Sequence, residues 1–174
     1  DVRPVLPHDE VKSISREHTF DEDVSDIGVL ESTLVWLTED VCRRLRRKKL
    51  EARTVTVKIR YADFVTHTCS HTLMRPCDVD EVFFREVLAL FRQGRRRRYR
   101  LRLLGVGVNN LVPRSWQDDL FDQELPLLRE LDLKLDTIRA RYGPGAVRRG
   151  AALPYHWVAA SNMSRLDKAA SSHT

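Results

Sequence analysis

Hydrophobic and polar positions alternate and recur along this chain in a way that predicts seven elements. Residues 12–20 alternate enough to form a strand. An acidic stretch, Asp21–Asp26, leads into a helix in which Leu30, Leu34, Leu37, Val41 and Leu45 recur every three or four residues as one apolar stripe. Acids at its start and Arg43–Lys49 at its end match the two poles of the helix dipole. Residues 53–61 alternate cleanly, with Val55, Val57, Ile59 and Tyr61 facing one way and Thr54, Thr56, Lys58 and Arg60 the other. Residues 65–73 form a Thr-rich strand. Asp78 and Glu81 stand at capping-box spacing before a second helix lined by Val82, Phe83, Val87, Leu90 and Phe91, which Gly94 ends. Residues 99–108 form a fourth strand, and residues 126–142 a further helix with Leu127, Leu128, Leu131, Leu135 and Ile138 in period.

The order strand, helix, strand, strand, helix, strand predicts an α+β fold. It is a split β-α-β-β-α-β arrangement, a four-stranded sheet with two helices on one face, followed by a C-terminal helical extension. The other sheet face then stays open, and Thr56, Lys58, Arg60, Arg100 and Arg102 are expected on it.

Composition sharpens this reading. No apolar run approaches the roughly 20 residues a bilayer requires. The chain opens Asp1-Val2-Arg3-Pro4, unlike a secretory signal. Three cysteines, Cys42, Cys69 and Cys77, form no CxxC pair, which fits a reducing cytoplasm. The net charge of +5 is unevenly spread. Residues 43–116 hold 19 Lys and Arg against 6 Asp and Glu, whereas residues 1–42 hold 3 against 11. A basic middle points to a polyanion partner or to a solvated basic surface. His67, Cys69 and His71 alternate on one face, with Cys77 beyond. Structural zinc uses tight turns with CxxC-like spacing instead, so no metal is expected. The acids Asp21, Glu22, Asp23 and Asp26 are read as helix-start acids.

Lys12-Ser13-Ile14-Ser15-Arg16-Glu17 with Thr19-Phe20 and Asp23 resembles the segment that opens the little-finger domain of Y-family translesion DNA polymerases of the bacterial polymerase IV type. Val55-Thr56-Val57-Lys58-Ile59-Arg60 with Asp63-Phe64, and Thr66 through Leu73, resemble its second and third strands. Arg100-Leu101-Arg102-Leu103-Leu104-Gly105-Val106 resembles its last strand. Ile138-Arg139-Ala140-Arg141-Tyr142-Gly143, then Ala146-Val147-Arg148-Arg149, is similar to a C-terminal extension of many bacterial members.

The resemblance implies a linker from a missing thumb over 1–11, a little finger over 12–112, a clamp-binding peptide over 113–125, a helical extension over 126–153 and a disordered tail over 154–174. It implies that the open sheet grips primer–template or damaged double-stranded DNA. Ser13, Ser15, Arg16 and Thr19, with Lys58, Arg60, Arg100 and Arg102, are then expected at phosphates. Arg95, Arg96, Arg97 and Arg98 either reach phosphates from a turn or form a solvated loop. Members often carry basic residues where this chain has Cys69 and His71, which implies weaker contact from that strand.

Gln117-Asp118-Asp119-Leu120-Phe121 resembles the peptide by which bacterial polymerases bind the sliding clamp. Gln117 and Asp119 would make polar contacts, and Leu120 and Phe121 would fill an apolar pocket. The implied protein is a monomer of the bacterial cytoplasm and nucleoid. Nucleotidyl transfer with Mg²⁺ would belong to a palm domain outside this chain, and the chain itself needs no cofactor. The alternative is a non-catalytic, clamp-dependent adaptor of the same family. An RNA-binding domain of related topology would display stacking aromatics on the sheet, and the second and fourth strands place none there.

Overall fold

A computed structural model describes residues 11–96, 99–114 and 124–150. The order is β1 (Ser13–Val24), α1 (Ile27–Arg47), β2 (Leu50–Tyr61), β3 (Thr66–Cys77), α2 (Asp80–Gly94), β4 (Leu101–Pro113) and α3 (Glu124–Tyr142). The four strands form one antiparallel sheet in the order β1-β4-β2-β3, and α1 and α2 cover one face of it. Linker residues 1–10, Arg97 and Arg98, the Gln117–Phe121 peptide and residues 151–174 lie outside the described residues.

The alternation in β2 is the physical reason for the layering. Val55, Val57, Ile59 and Tyr61 are fully buried beneath the helices, together with Leu104, Val106 and Val108 of β4. The α1 stripe, Leu30, Leu34, Leu37, Val41 and Leu45, is fully buried against them. Phe83, Val87 and Phe91 of α2 close the layer. Each such side chain removed from water contributes about 1.5–3 kcal/mol.

Several expectations require correction. The strands run further than their alternation showed: β2 starts at Leu50, β3 continues to Cys77 and β4 to Pro113. Asp21–Val24 continues β1 beyond an irregularity after Thr19 instead of opening the helix. Of that acidic stretch only Asp26 serves α1, as its N-cap, with Oδ1 accepting from the Val29 N–H at 3.0 Å.

The Asp78–Glu81 capping box does not form. The residue before α2 is Val79, which makes no side-chain cap, and the Asp78 carboxylate instead accepts from Arg129 Nε at 2.7 Å. The α2 N-terminus is served by α3, whose Asp132 Oδ2 accepts from the Asp80 N–H at 2.9 Å.

Helix α3 forms as the periodicity predicts, but only part of its apolar stripe turns inward: Leu128, together with Leu125, packs against the core. Its buried residues are Asp132 and Arg139, while Leu127, Leu131 and Ile138 are exposed. The rest of the docked face is ionic. Arg46 of α1 bonds Asp80 at 2.7 Å and Asp136 at 2.7 Å; Arg139 bonds Glu39 at 3.0 Å; Arg149 bonds Asp132 at 2.7 Å; Arg129 bonds Glu51 at 2.9 Å. Burial alone would lower the Arg46 guanidinium's pKa, but the carboxylates of Asp136 and Asp80 more than reverse this and raise it. Burial pushes the Glu39 carboxyl up from its ordinary value, against the pull of Arg139 and Arg149. Among the described residues, no helix is long and apolar enough to cross a membrane.

Candidate nucleic-acid interface

The uncovered sheet face is defined by register. Thr54, Thr56, Lys58 and Arg60 of β2 stand opposite Thr72, Ser70, Thr68 and Thr66 of β3. The same β2 residues stand opposite Asn109, Gly107, Gly105 and Leu103 of β4. Those β4 residues in turn pair with Ser13, Ser15, Glu17 and Thr19 of β1. The face is therefore a lattice of hydroxyls around two glycines.

Cross-strand bonds organise the lattice. Thr54 and Thr72 hydroxyls meet at 3.2 Å, Thr56 and Ser70 at 3.1 Å, and Arg60 Nε donates to Thr66 Oγ1 at 2.9 Å. Asn110 adopts the left-handed region (φ 53°), which Asn tolerates, and donates from Nδ2 to Thr54 Oγ1 at 2.8 Å. A hydroxyl both donates and accepts, so this surface can turn its protons toward phosphate oxygens without reading bases.

Gly105 and Gly107 keep the centre low. A Cβ at Gly105 would come within 2.9 Å of Glu17 Cγ, and one at Gly107 within 3.3 Å of Ser15 Cβ. With no side chain there, β4 lies low between the side chains of β1 and β2; Glu17 and Lys58 meet across the buried Gly105, while Gly107 stays partly open.

The charge on this face is smaller than the alternation led us to expect. Lys58 Nζ pairs with Glu17 Oε1 at 2.9 Å. At Arg102 the alternation of β4 breaks. The register passes from Tyr61 opposite Leu101 to Arg60 opposite Leu103, so Arg102 is the extra residue of a bulge. Leu103 takes the face position, and Arg100 lies before the strand begins.

These arginines gather instead at one end of the sheet. Ala62 N–H donates to the Arg100 carbonyl at 3.0 Å, and Arg96 N–H donates to the Tyr61 hydroxyl at 2.9 Å. Arg96 Cζ lies 5.7 Å from the Tyr99 ring centre, and Arg95 Cζ lies 5.8 Å from that of Phe91. Arg102 Cζ stands 4.7 Å over Phe64, an exposed residue of the β2–β3 turn held at φ 67°. A bulky residue in that region carries backbone strain of about 1–3 kcal/mol, the kind that clusters at functional turns.

Arg16 turns away from its neighbours Ser15 and Glu17. It pairs with Val106 and lies on the helix side, with Cζ 5.3 Å over the Trp36 ring of α1. His18 shares that side, its ring against Phe20 and Trp36, and burial holds the imidazole below its usual range.

Cys69 and His71 are also on the helix side. Cys69 Sγ would lie 2.5 Å from a Cβ at Gly94, and His71 Nε2 stands 3.8 Å from Glu86. The loss of basic residues at these two positions therefore leaves the open face untouched. There β3 presents Thr66, Thr68, Ser70 and Thr72, which sequence reasoning passed over, although their strict alternation with His67, Cys69 and His71 was its signal. Among the described residues, no group of three His, Cys, Asp or Glu is placed to hold a metal ion.

The geometry defines an α+β module with a hydroxyl-lined open sheet and an arginine-rich end. The impB/mucB/samB family C-terminal domain matches over residues 11–120, more than half of the chain, so the chain belongs to this family and carries the little-finger domain of Y-family polymerases. DNA polymerase IV of Dehalococcoides mccartyi (strain ATCC BAA-2266 / KCTC 15142 / 195) is 39% identical over 153 residues, covering 86% of this chain and 38% of the relative. DNA polymerase IV of Desulfatibacillum aliphaticivorans is 37% identical over 155 residues, covering 87% and 39%. A solved structure described as an insertion ternary complex of Dbh DNA polymerase superposes with a TM-score of 0.51 at 16% identity, over 57% of this chain and 28% of that one, which shows the shared fold. The chain thus spans less than two fifths of the length of the curated relatives it matches.

Proposed function

We propose that this chain is the DNA-gripping and clamp-recruiting region of an error-prone translesion DNA polymerase of the polymerase IV type, acting in DNA damage tolerance on the bacterial chromosome. The observation that carries the reading is the open sheet face: a glycine-floored strip edged by Ser13, Ser15, Thr56 and Arg60, with Ser70 beyond Thr56 and arginines at one end. Such a surface suits the sugar–phosphate backbone of a duplex and is indifferent to sequence, as a polymerase that accepts many templates requires. Nucleotidyl transfer with Mg²⁺ is the work of the rest of the polymerase. The Gln117–Phe121 peptide follows β4 directly and tethers the region to the sliding clamp. Two weak attachments on one chain reinforce each other through effective concentration.

The test is primer–template binding by this chain across a salt series. Each phosphate contact steepens the dependence of log affinity on log salt by about 0.9. Arg60→Glu should flatten the slope and weaken binding about tenfold. Absent or salt-independent binding refutes the grip.

A second reading, the clamp-dependent adaptor, is favoured by one specific feature. The Glu17–Lys58 pair neutralises a cation in the middle of the open face. On that reading the chain binds the clamp and not the duplex, so the same titration separates the two.

A further inference from the structure

The position of Arg16 draws attention to the helix side of β1. There a cleft of about 410 Å³ is lined by Arg16, Trp36, Asp40, Arg43, Arg44 and Arg47, among others. Its size falls within the range of ligand clefts, roughly 300–1,000 Å³. The acids in it are already neutralised. Asp40 is shared by Arg43 and Arg44, and Glu39 by Arg139 and Arg149. Arg47 is exposed and makes no ion pair among the described residues. Arg16 over Trp36 forms a flat, cation-topped platform. The cleft therefore offers surplus guanidinium groups beside an aromatic surface.

We infer that this cleft is a second nucleic-acid site, specific for single strands, which takes an unpaired nucleotide with its phosphate on Arg43 and Arg47 and its base against the Arg16–Trp36 platform. The chemistry of the wall selects this ligand. Forked guanidinium groups match phosphate oxygens, and an aromatic–arginine platform accepts any base by stacking. A duplex keeps its bases within the stack and bends little over a few base pairs, so it cannot send a nucleotide into a concave site. A single strand can.

The path to the cleft is short. β1 is an edge strand, with Ser15 on the open face and Arg16 in the cleft, and Arg44 Nη1 donates to the Ser15 carbonyl at 3.3 Å. A strand that leaves a duplex on the open face therefore rounds one strand edge to reach the cleft. In this geometric sense the inference rests on the duplex reading.

The experiment is fluorescence anisotropy of this full chain with a short labelled oligothymidine and, separately, a blunt duplex. Arg47→Glu should weaken oligothymidine binding about tenfold and reduce the slope of log affinity against log salt by about 0.7, with duplex affinity and melting temperature unchanged. Arg43→Gln should act in the same direction. Equal oligothymidine affinity for wild type and Arg47→Glu overturns the inference. So does displacement of oligothymidine by a polyglutamate peptide at lower concentration than by unlabelled strand, which would assign the cleft to an acidic protein. A chain that fails to bind blunt duplex yet loses oligothymidine with Arg47→Glu retains the cleft and refutes the sheet-face grip. The reverse pattern refutes the cleft alone.

Discussion

The Asp132 carboxylate caps a helix it does not belong to, accepting from the Asp80 backbone N–H at 2.9 Å across 52 residues of sequence. The same carboxylate stands 2.7 Å from Arg149 and 3.6 Å from Arg46. One side chain thus satisfies an orphan donor of α2 and two guanidinium groups, and it holds α3 on the domain through its polar face.

Removing it strips the buried Asp80 N–H of its acceptor, while Arg46 keeps Asp80 and Asp136 and Arg149 keeps Glu39. Asp132→Ala should cost about 1–3 kcal/mol, read as a lowered urea midpoint. Leu127→Ala and Leu131→Ala, on the exposed side of the same helix, should each cost under about 0.5 kcal/mol. The reverse ranking would mean that α3 docks by Leu127 and Leu131.

Burial pushes the Asp80 carboxyl up from 3.8 to about 7, the nearby Arg46 and Arg149 notwithstanding. A carboxyl raised in the folded state binds a proton that the unfolded chain has released, so folding takes up a proton between about pH 4 and pH 7 and stability falls as pH rises through that window. Asp132 is raised in the same direction, also by burial. Asp80→Asn should flatten the fall in denaturation midpoint between about pH 5 and about pH 7. An unchanged slope would show that Asp80 is ionised throughout.

The low strip along β4 depends on Gly105 and Gly107. At Gly107 a valine would press on Ser15 and rise above the strip. Gly107→Val should weaken duplex binding about tenfold, or about 1.4 kcal/mol, in the same anisotropy assay. Unaltered affinity in a folded variant would place the duplex elsewhere.

The clamp tether is testable apart from the grip. Calorimetry should give micromolar binding of this chain to a bacterial sliding clamp, abolished by Leu120→Ala with Phe121→Ala, while duplex binding persists. Clamp binding that survives the double change would assign recruitment to another surface.

Much of this was legible in the sequence. Period two in residues 53–61 and the three-four spacing from Leu30 to Leu45 named the buried faces, because burial of alternate or stripe positions is a local consequence of strand and helix geometry. Hydroxyls and glycines are weaker signals than charges, so Thr66, Thr68, Ser70, Thr72, Gly105 and Gly107 escaped notice as one surface. The bulge at Arg102 was not legible, because a bulge adds a residue without altering the alternation that precedes it.

By itself, then, the sequence determined the α+β order of elements, the side of β2 and α1 that meets the core, and the family resemblance. Only the tertiary structure decided which charges are buried and which leucines are not. Arg46, Asp80, Asp132 and Arg139 look like surface residues of three separate segments, and they are desolvated only when α1, α2 and α3 converge. Periodicity states which residues share a face of an element. Whether that face turns inward depends on what distant segments bring against it, and for α3 they brought complementary charge.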